Sequence, residues 1–155
     1  MNKQIQEIEF SWQFENKKNH TIDNENHIKD FLRVLLNNTF KKKGFILNYI
    51  FLSKKDILSM NKKYLNHNYS TDVITFDFSD DFGIFGGDIY ICPEIVNENA
   101  ILYKTKFQNE LLRVIFHGLL HLIGFDDNNE ENILVMREKE EFCLKLYSEF
   151  ILSYK

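Results

Sequence analysis

HGLLHLIGFDD, residues 117–127, sets two histidines four apart, a glycine three residues further on and an aspartate three beyond that. The surrounding run LLRVIFHGLLHLIGF is apolar enough for a buried helix. Residues four apart on a helix stand one turn above each other on one face, so His117 and His121 project toward a common point. This is the spacing of helical zinc-binding histidine pairs. Gly124 can take the left-handed conformation that ends a helix and reverses the chain. Asp127 then swings back toward both imidazoles. Two nitrogens and a carboxylate make a three-ligand metal site with a fourth position left for water. HxxxH alone more often marks two hydrogen-bonded core histidines followed by a helix cap; adding Gly124 and Asp127 moves the reading to metal.

Upstream, the periodicity alternates between strand and helix. Ile8, Phe10, Trp12 and Phe14 alternate as a half-buried strand does. Ile28, Phe31, Leu32, Leu35 and Leu36 mark one helical face, in a unit that Gly44 is expected to end. FILNYIFL (45–52) reads as a buried strand, and Ser53 with Asp56 opens a helix to about Leu65. DVITFDF (72–78) alternates as a strand; DDFGIFGG turns the chain into a short strand over 88–92. Pro93 suits the first position of a helix reaching about Tyr103. A helix over about 107–123 and a last one from about Asn129 to Ser153 complete the order. The pattern predicts a single α+β domain over 1–155: a small mixed four-stranded sheet with about five helices, mainly on one face.

Composition fits one domain with a real core: 155 residues, 44% hydrophobic, 15 Phe. No apolar stretch is long and uncharged enough to span a membrane, and the N-terminal residues lack a signal peptide's pattern. Cys92 and Cys143 form no CxxC pair and read as buried thiols, so a cytoplasmic setting is expected. Net charge is −4, yet residues 29–69 hold nine Lys/Arg against two acids, while 70–103 hold seven acids and no Lys or Arg. That asymmetry suggests a basic face, with Lys41, Lys42, Lys43, Lys62 and Lys63 as candidate phosphate contacts; solvated surface lysines explain the same counts.

HxxxHxxGxxD is also similar to the metal segment of metzincin proteases, but those carry a glutamate base directly after the first histidine. Gly118 stands there and accepts no proton, which disfavours peptide hydrolysis. The whole run resembles instead the HGxLHLxGYDH hallmark of the YbeY endoribonucleases, with Phe125 for the tyrosine and Asp127 for the third histidine. TDVITF (71–76) and GGDIYI (86–91) are similar to the family's TDVLSFP and LGDIxI; Glu110 and Met136 also fall at family positions. Ser70 follows Tyr69 where the family has arginine.

The resemblance implies a zincin-like metal helix, one Zn2+ per chain held by His117, His121 and Asp127, and cleavage of single-stranded RNA. It implies work in rRNA processing (16S rRNA 3′-end maturation) and ribosome quality control, with the small ribosomal subunit and assembly factors as partners. Arg113, one turn before His117, is the candidate substitute for the missing arginine, against an ion pair with Glu110. Asp126 is a candidate proton-transfer or ligand-supporting group, or caps the next helix. Thr75 and Asp88 match family positions without an assigned role. Two other readings stand beside this one: a metal-dependent hydrolase of peptides or another small substrate, and a non-catalytic ribosome assembly factor with a structural metal.

Overall fold

Seven residues of strand β1 (Gln6–Trp12) open the chain in a computed structural model that describes residues 5–13, 22–69, 71–81 and 83–154. Helix α1 (Glu25–Val34) runs into a π-helical turn (Leu35–Thr39), then β2 (Phe45–Phe51), α2 (Lys54–Leu65), β3 (Val73–Asp77) and β4 (Phe85–Ile91) follow. Helices α3 (Pro93–Leu102), α4 (Phe107–Ile123) and α5 (Glu130–Ser153) complete it. Phe14 and Ser70 lie outside the described residues.

The sheet order is β1-β2-β4-β3, with β1, β2 and β4 parallel and β3 antiparallel on the edge. Alternation along β2 explains its apolar sequence. Phe45, Leu47, Tyr49 and Phe51 enter the core shared with α1, α4 and α5; Ile50 faces a smaller cluster with Ile57 of α2 and Ile74 of β3. Most helical packing is therefore on one face, as the sequence pattern implies. Tyr49 is fully buried, and its hydroxyl donates to the Ile115 carbonyl at 3.1 Å, tying β2 to α4. A satisfied bond of this kind is worth about 1 kcal/mol net, and losing its partner costs more.

Caps set the helix starts. The Asp56 N–H donates to Ser53 Oγ at 3.2 Å, and Pro93 opens α3. Two expected boundaries move. The first helical unit ends at Thr39 rather than at Gly44: Lys41 takes a left-handed backbone (φ 55°), and the Lys42 N–H closes onto the Leu36 carbonyl. Strand β4 begins at Phe85, so Gly86 and Gly87 are strand residues, not turn residues. A Cβ on Gly87 would stand 2.6 Å from Leu122 Cδ2, and one on Gly118 would stand 2.6 Å from Ile89 Cγ2. These two glycines let α4 lie flush on β4, which places the histidine-bearing face of α4 beside edge strand β3.

Candidate metal centre

Helix α4 ends where Gly124 takes φ 122°, with its N–H donating to the His121 and Leu120 carbonyls. The Phe125 N–H donates to Leu120 as well, turning the chain sharply. Asp127 returns over the last turn of the helix. His117 Nε2 and His121 Nε2 are 3.0 Å apart, and Asp127 Oδ2 lies 3.4 Å from the first and 3.5 Å from the second.

That triangle is a test of fit. Ligand atoms about 2.0–2.1 Å from a tetrahedral zinc ion stand roughly 3.3 Å from one another. The three edges straddle this value, and the donor set of two imidazoles and one carboxylate suits a divalent ion. The residues present fit a metal. The Asp127 side chain is 43% exposed against 16% for His117 and 23% for His121, so the group is open on one side. That side is a cleft of about 310 Å³, bounded by Leu65 at the end of α2 and by residues of the 71–75 segment, Thr75 among them.

Behind the triad lies a buried ionic chain. His117 Nδ1 is 2.6 Å from Oε1 of Glu140, a residue of α5 only 3% exposed. With the carboxylate accepting Nδ1–H, the Nε2 lone pair is left pointing at the centre. Arg113 Nη1 donates to Glu140 Oε2 at 3.0 Å, and its Nε donates to Glu110 Oε2 at 3.1 Å. Glu110, also 3% exposed, makes a further ion pair with Arg113 Nη2. Hydrogen bonding to the Glu110 carboxylate foremost holds the Arg113 guanidinium well above its ordinary pKa, despite partial burial. Burial alone would raise Glu140; its contacts with His117 and Arg113 outweigh that and hold its carboxyl below the usual range.

The other sequence-derived candidates divide. Arg113 sits one turn before His117 but does not line the triad's cleft. It lines a separate cavity of about 430 Å³ with Tyr103, Arg137 and Glu140, its guanidinium engaged by the two carboxylates. The ion pair with Glu110 is therefore present, and Glu140 connects Arg113 to His117 of the candidate metal group. Asp126 is exposed and stands outside the triad. The cap of α5 falls to Asn129, whose side chain accepts the Asn132 N–H at 2.8 Å, rather than to Asp126. Lys62 and Lys63 occupy the exposed last turn of α2, next to Leu65 at the cleft. Lys41, Lys42 and Lys43 line another cavity, about 630 Å³, with Ser79, Asp80 and Phe85, and no residue of the triad borders it. Asp88 accepts the Asn48 side-chain amide at 2.9 Å across the strand pair, a contact within the sheet.

Glu140 is the residue that sequence reasoning missed. Met136, Glu140, Cys143 and Tyr147 are the buried residues of α5, spaced as one helical stripe. An acid inside an apolar stripe requires a partner, and that was the available signal.

Comparison with known proteins agrees with this architecture. The family model described as Endoribonuclease YbeY matches residues 11–148. The chain is 48% identical over 101 residues to an Endoribonuclease YbeY of Flavobacterium psychrophilum, covering 65% of this chain and 71% of that one. It is 43% identical over 118 residues to another of Cytophaga hutchinsonii, covering 74% and 82%. Among solved structures it is similar to the solution structure of TM1509 from Thermotoga maritima, with TM-score 0.61, 27% identity, and 95% and 93% of the two chains covered. Matched along nearly its whole length, the chain belongs to the YbeY endoribonuclease family.

Proposed function

We propose that this chain is a zinc-dependent endoribonuclease that cleaves single-stranded RNA during rRNA maturation, with His117, His121 and Asp127 as the metal ligands. The observation that carries the reading is the near-equilateral triangle of donor atoms, open toward a cleft. A divalent ion held there would supply Lewis acidity at a phosphoryl oxygen and make water nucleophilic at neutral pH. The chain's own groups do the rest. Glu140 accepts the His117 Nδ1 proton and fixes that ring, while Arg113 and Glu110 hold Glu140. Lys62 and Lys63 offer positive charge near the cleft for phosphates. Asp126, exposed one residue before Asp127, is the candidate carrier of a proton between cleft and solvent.

Peptide hydrolysis is the weaker reading. A glutamate at position 118 would have to project from a Cβ standing 2.6 Å from Ile89, so the protease base has no room. A purely structural metal is also disfavoured, since structural sites are closed by four protein ligands and this group has three, one of them exposed. Among the described residues no helix is long and apolar enough to cross a membrane. Two free, buried cysteines suit a reducing cytoplasm, where the small ribosomal subunit and its assembly factors would be the partners.

The test is incubation of metal-loaded protein with single-stranded RNA, duplex RNA and casein, with and without a chelator. Chelator-sensitive cleavage of the single strand is expected. Cleavage of casein, or of no substrate by fully metallated protein, overturns the reading.

A further inference from the structure

Between α2 and β3 two side chains have no part in the core. The rings of His67 and Tyr69 stack at 15° with centroids 5.1 Å apart, and Tyr69 Oη lies 3.0 Å from His67 Nδ1. Both are exposed, Tyr69 at 57%. The backbone beneath them is fixed from inside. Asn61, 1% exposed, donates its side-chain amide to the Tyr69 carbonyl at 2.7 Å, and its own carbonyl accepts the His67 N–H at 3.0 Å. Asn66 takes the left-handed turn (φ 55°) that ends α2 and starts this loop. The segment is thus held in shape while its rings face water. Burial offers no reason for that arrangement.

Its position offers one. Leu65 before the pair and Thr71 after it both line the cleft that holds His117, His121 and Asp127. Lys62 and Lys63 lie in the preceding helical turn, with Lys63 Nζ 5.1 Å from the ring of Tyr64, itself 56% exposed. Fixed aromatic faces beside cationic side chains are the chemistry that receives unstacked nucleobases. We propose that the His67–Tyr69 stack is a platform for one unpaired nucleobase of the substrate next to the scissile phosphate, a role that rests on the nuclease reading above. A base within a duplex has both faces covered by its neighbours, so only a single strand can lay one on the rings. The pair is therefore a positioning and specificity element, not a catalytic one. Because its geometry is set before binding, little ordering entropy opposes the contact.

The test uses full-length, zinc-loaded protein and fluorescein-labelled oligoadenylate, reading anisotropy and single-turnover cleavage beside zinc content and melting temperature. Tyr69→Ala should weaken binding about ten- to hundredfold, the range for losing one base–aromatic stack, and His67→Ala should weaken it less. Tyr69→Phe keeps the ring and should bind like wild type. Both positions are exposed, so melting temperature and zinc content should hold. An abasic nucleotide at the position next to the cleavage site should erase the difference between wild type and Tyr69→Ala. Wild type that cleaves RNA, with Tyr69→Ala and His67→Ala binding and cleaving equally well, overturns the platform and leaves the rings to a protein partner. Ring-dependent binding without cleavage supports the platform and overturns the nuclease reading; neither binding nor cleavage overturns both.

Discussion

Glu140 Oε1 lies 2.6 Å from His117 Nδ1, so a carboxylate from α5 sets the tautomer and direction of an imidazole presented by α4. Removing that acceptor should free the ring to turn and to exchange its proton. Glu140→Leu, similar in size but with no oxygen to accept the Nδ1–H, should lower zinc affinity by about 10- to 100-fold, the usual effect of losing the partner that orients a metal-binding histidine. Competition with a chromogenic chelator measures it. Unchanged affinity would show that the hydrogen bond contributes nothing to the metal centre.

Arg113 is the next link, and its two possible roles separate cleanly. As the counter-ion of two nearly buried carboxylates, its loss leaves Glu110 without its counter-ion and Glu140 with His117 alone, and breaking a buried pair costs about 3–5 kcal/mol. Arg113→Ala should therefore melt earlier and lose zinc, with cleavage largely restored in excess zinc. A guanidinium that touched the substrate phosphate would give the opposite pattern: normal melting and zinc content, with turnover lost at any zinc concentration.

How far the sequence reached can be read from these residues. HxxxHxxGxxD implied the triad, because helical spacing and a glycine stop are local rules and its three side chains lie within eleven residues. The strand and helix order followed from periodicity for the same reason. Glu140 was harder: 23 residues separate it from His117, and only the pairing of α4 with α5 brings them together. The extra length of β4 was hidden because Gly86 and Gly87 read locally as a turn. Their need for small side chains comes from Phe78 and Leu122, contacts that only the assembled fold supplies.

Gly118 carries a prediction of that tertiary kind. A methyl group there would meet Ile89 Cγ2 at 2.6 Å, so Gly118→Ala must push α4 off β4 or drive Ile89 from its rotamer. Overpacking of this sort costs about 1–3 kcal/mol, against the small gain in helix propensity that alanine normally brings. Thermal melting should show a net loss, and the same change should cost less in an Ile89→Ala background, where the clashing Cγ2 is gone. Stabilisation by Gly118→Ala alone would mean that the helix stands further from the sheet.

Asp127 tests how strictly the loop fixes the third donor of the triad. Its Oδ2 sits 3.4–3.5 Å from both imidazole nitrogens, on a chain already reversed by Gly124. Asp127→His places a longer, neutral donor on the same backbone and should retain zinc and at least comparable cleavage. Asp127→Ala removes the third donor of the group and, if that donor is a ligand, should lose most zinc. Equal zinc content in wild type and Asp127→Ala would show that two histidines suffice and that the carboxylate is a bystander.

The two lysine groups should differ in how far along an RNA they act. Lys62 and Lys63 adjoin the cleft through Leu65, whereas Lys41, Lys42 and Lys43 line a cavity that the triad does not border. Each lysine that neutralises a phosphate contributes about one to the slope of log affinity against log salt. Neutralising Lys62 and Lys63 together should flatten that slope by up to about two for short and long RNA alike. Neutralising Lys41, Lys42 and Lys43 should flatten it only for RNA long enough to leave the cleft and reach the second cavity. Zinc content should stay unchanged in both variants, since none of these side chains belongs to the candidate metal group. A series of oligonucleotide lengths at several salt concentrations reads both effects. Slopes that fall equally for the shortest RNA would place the two lysine groups on one continuous phosphate path, and slopes that do not fall would reduce the triple lysine to solvated surface charge.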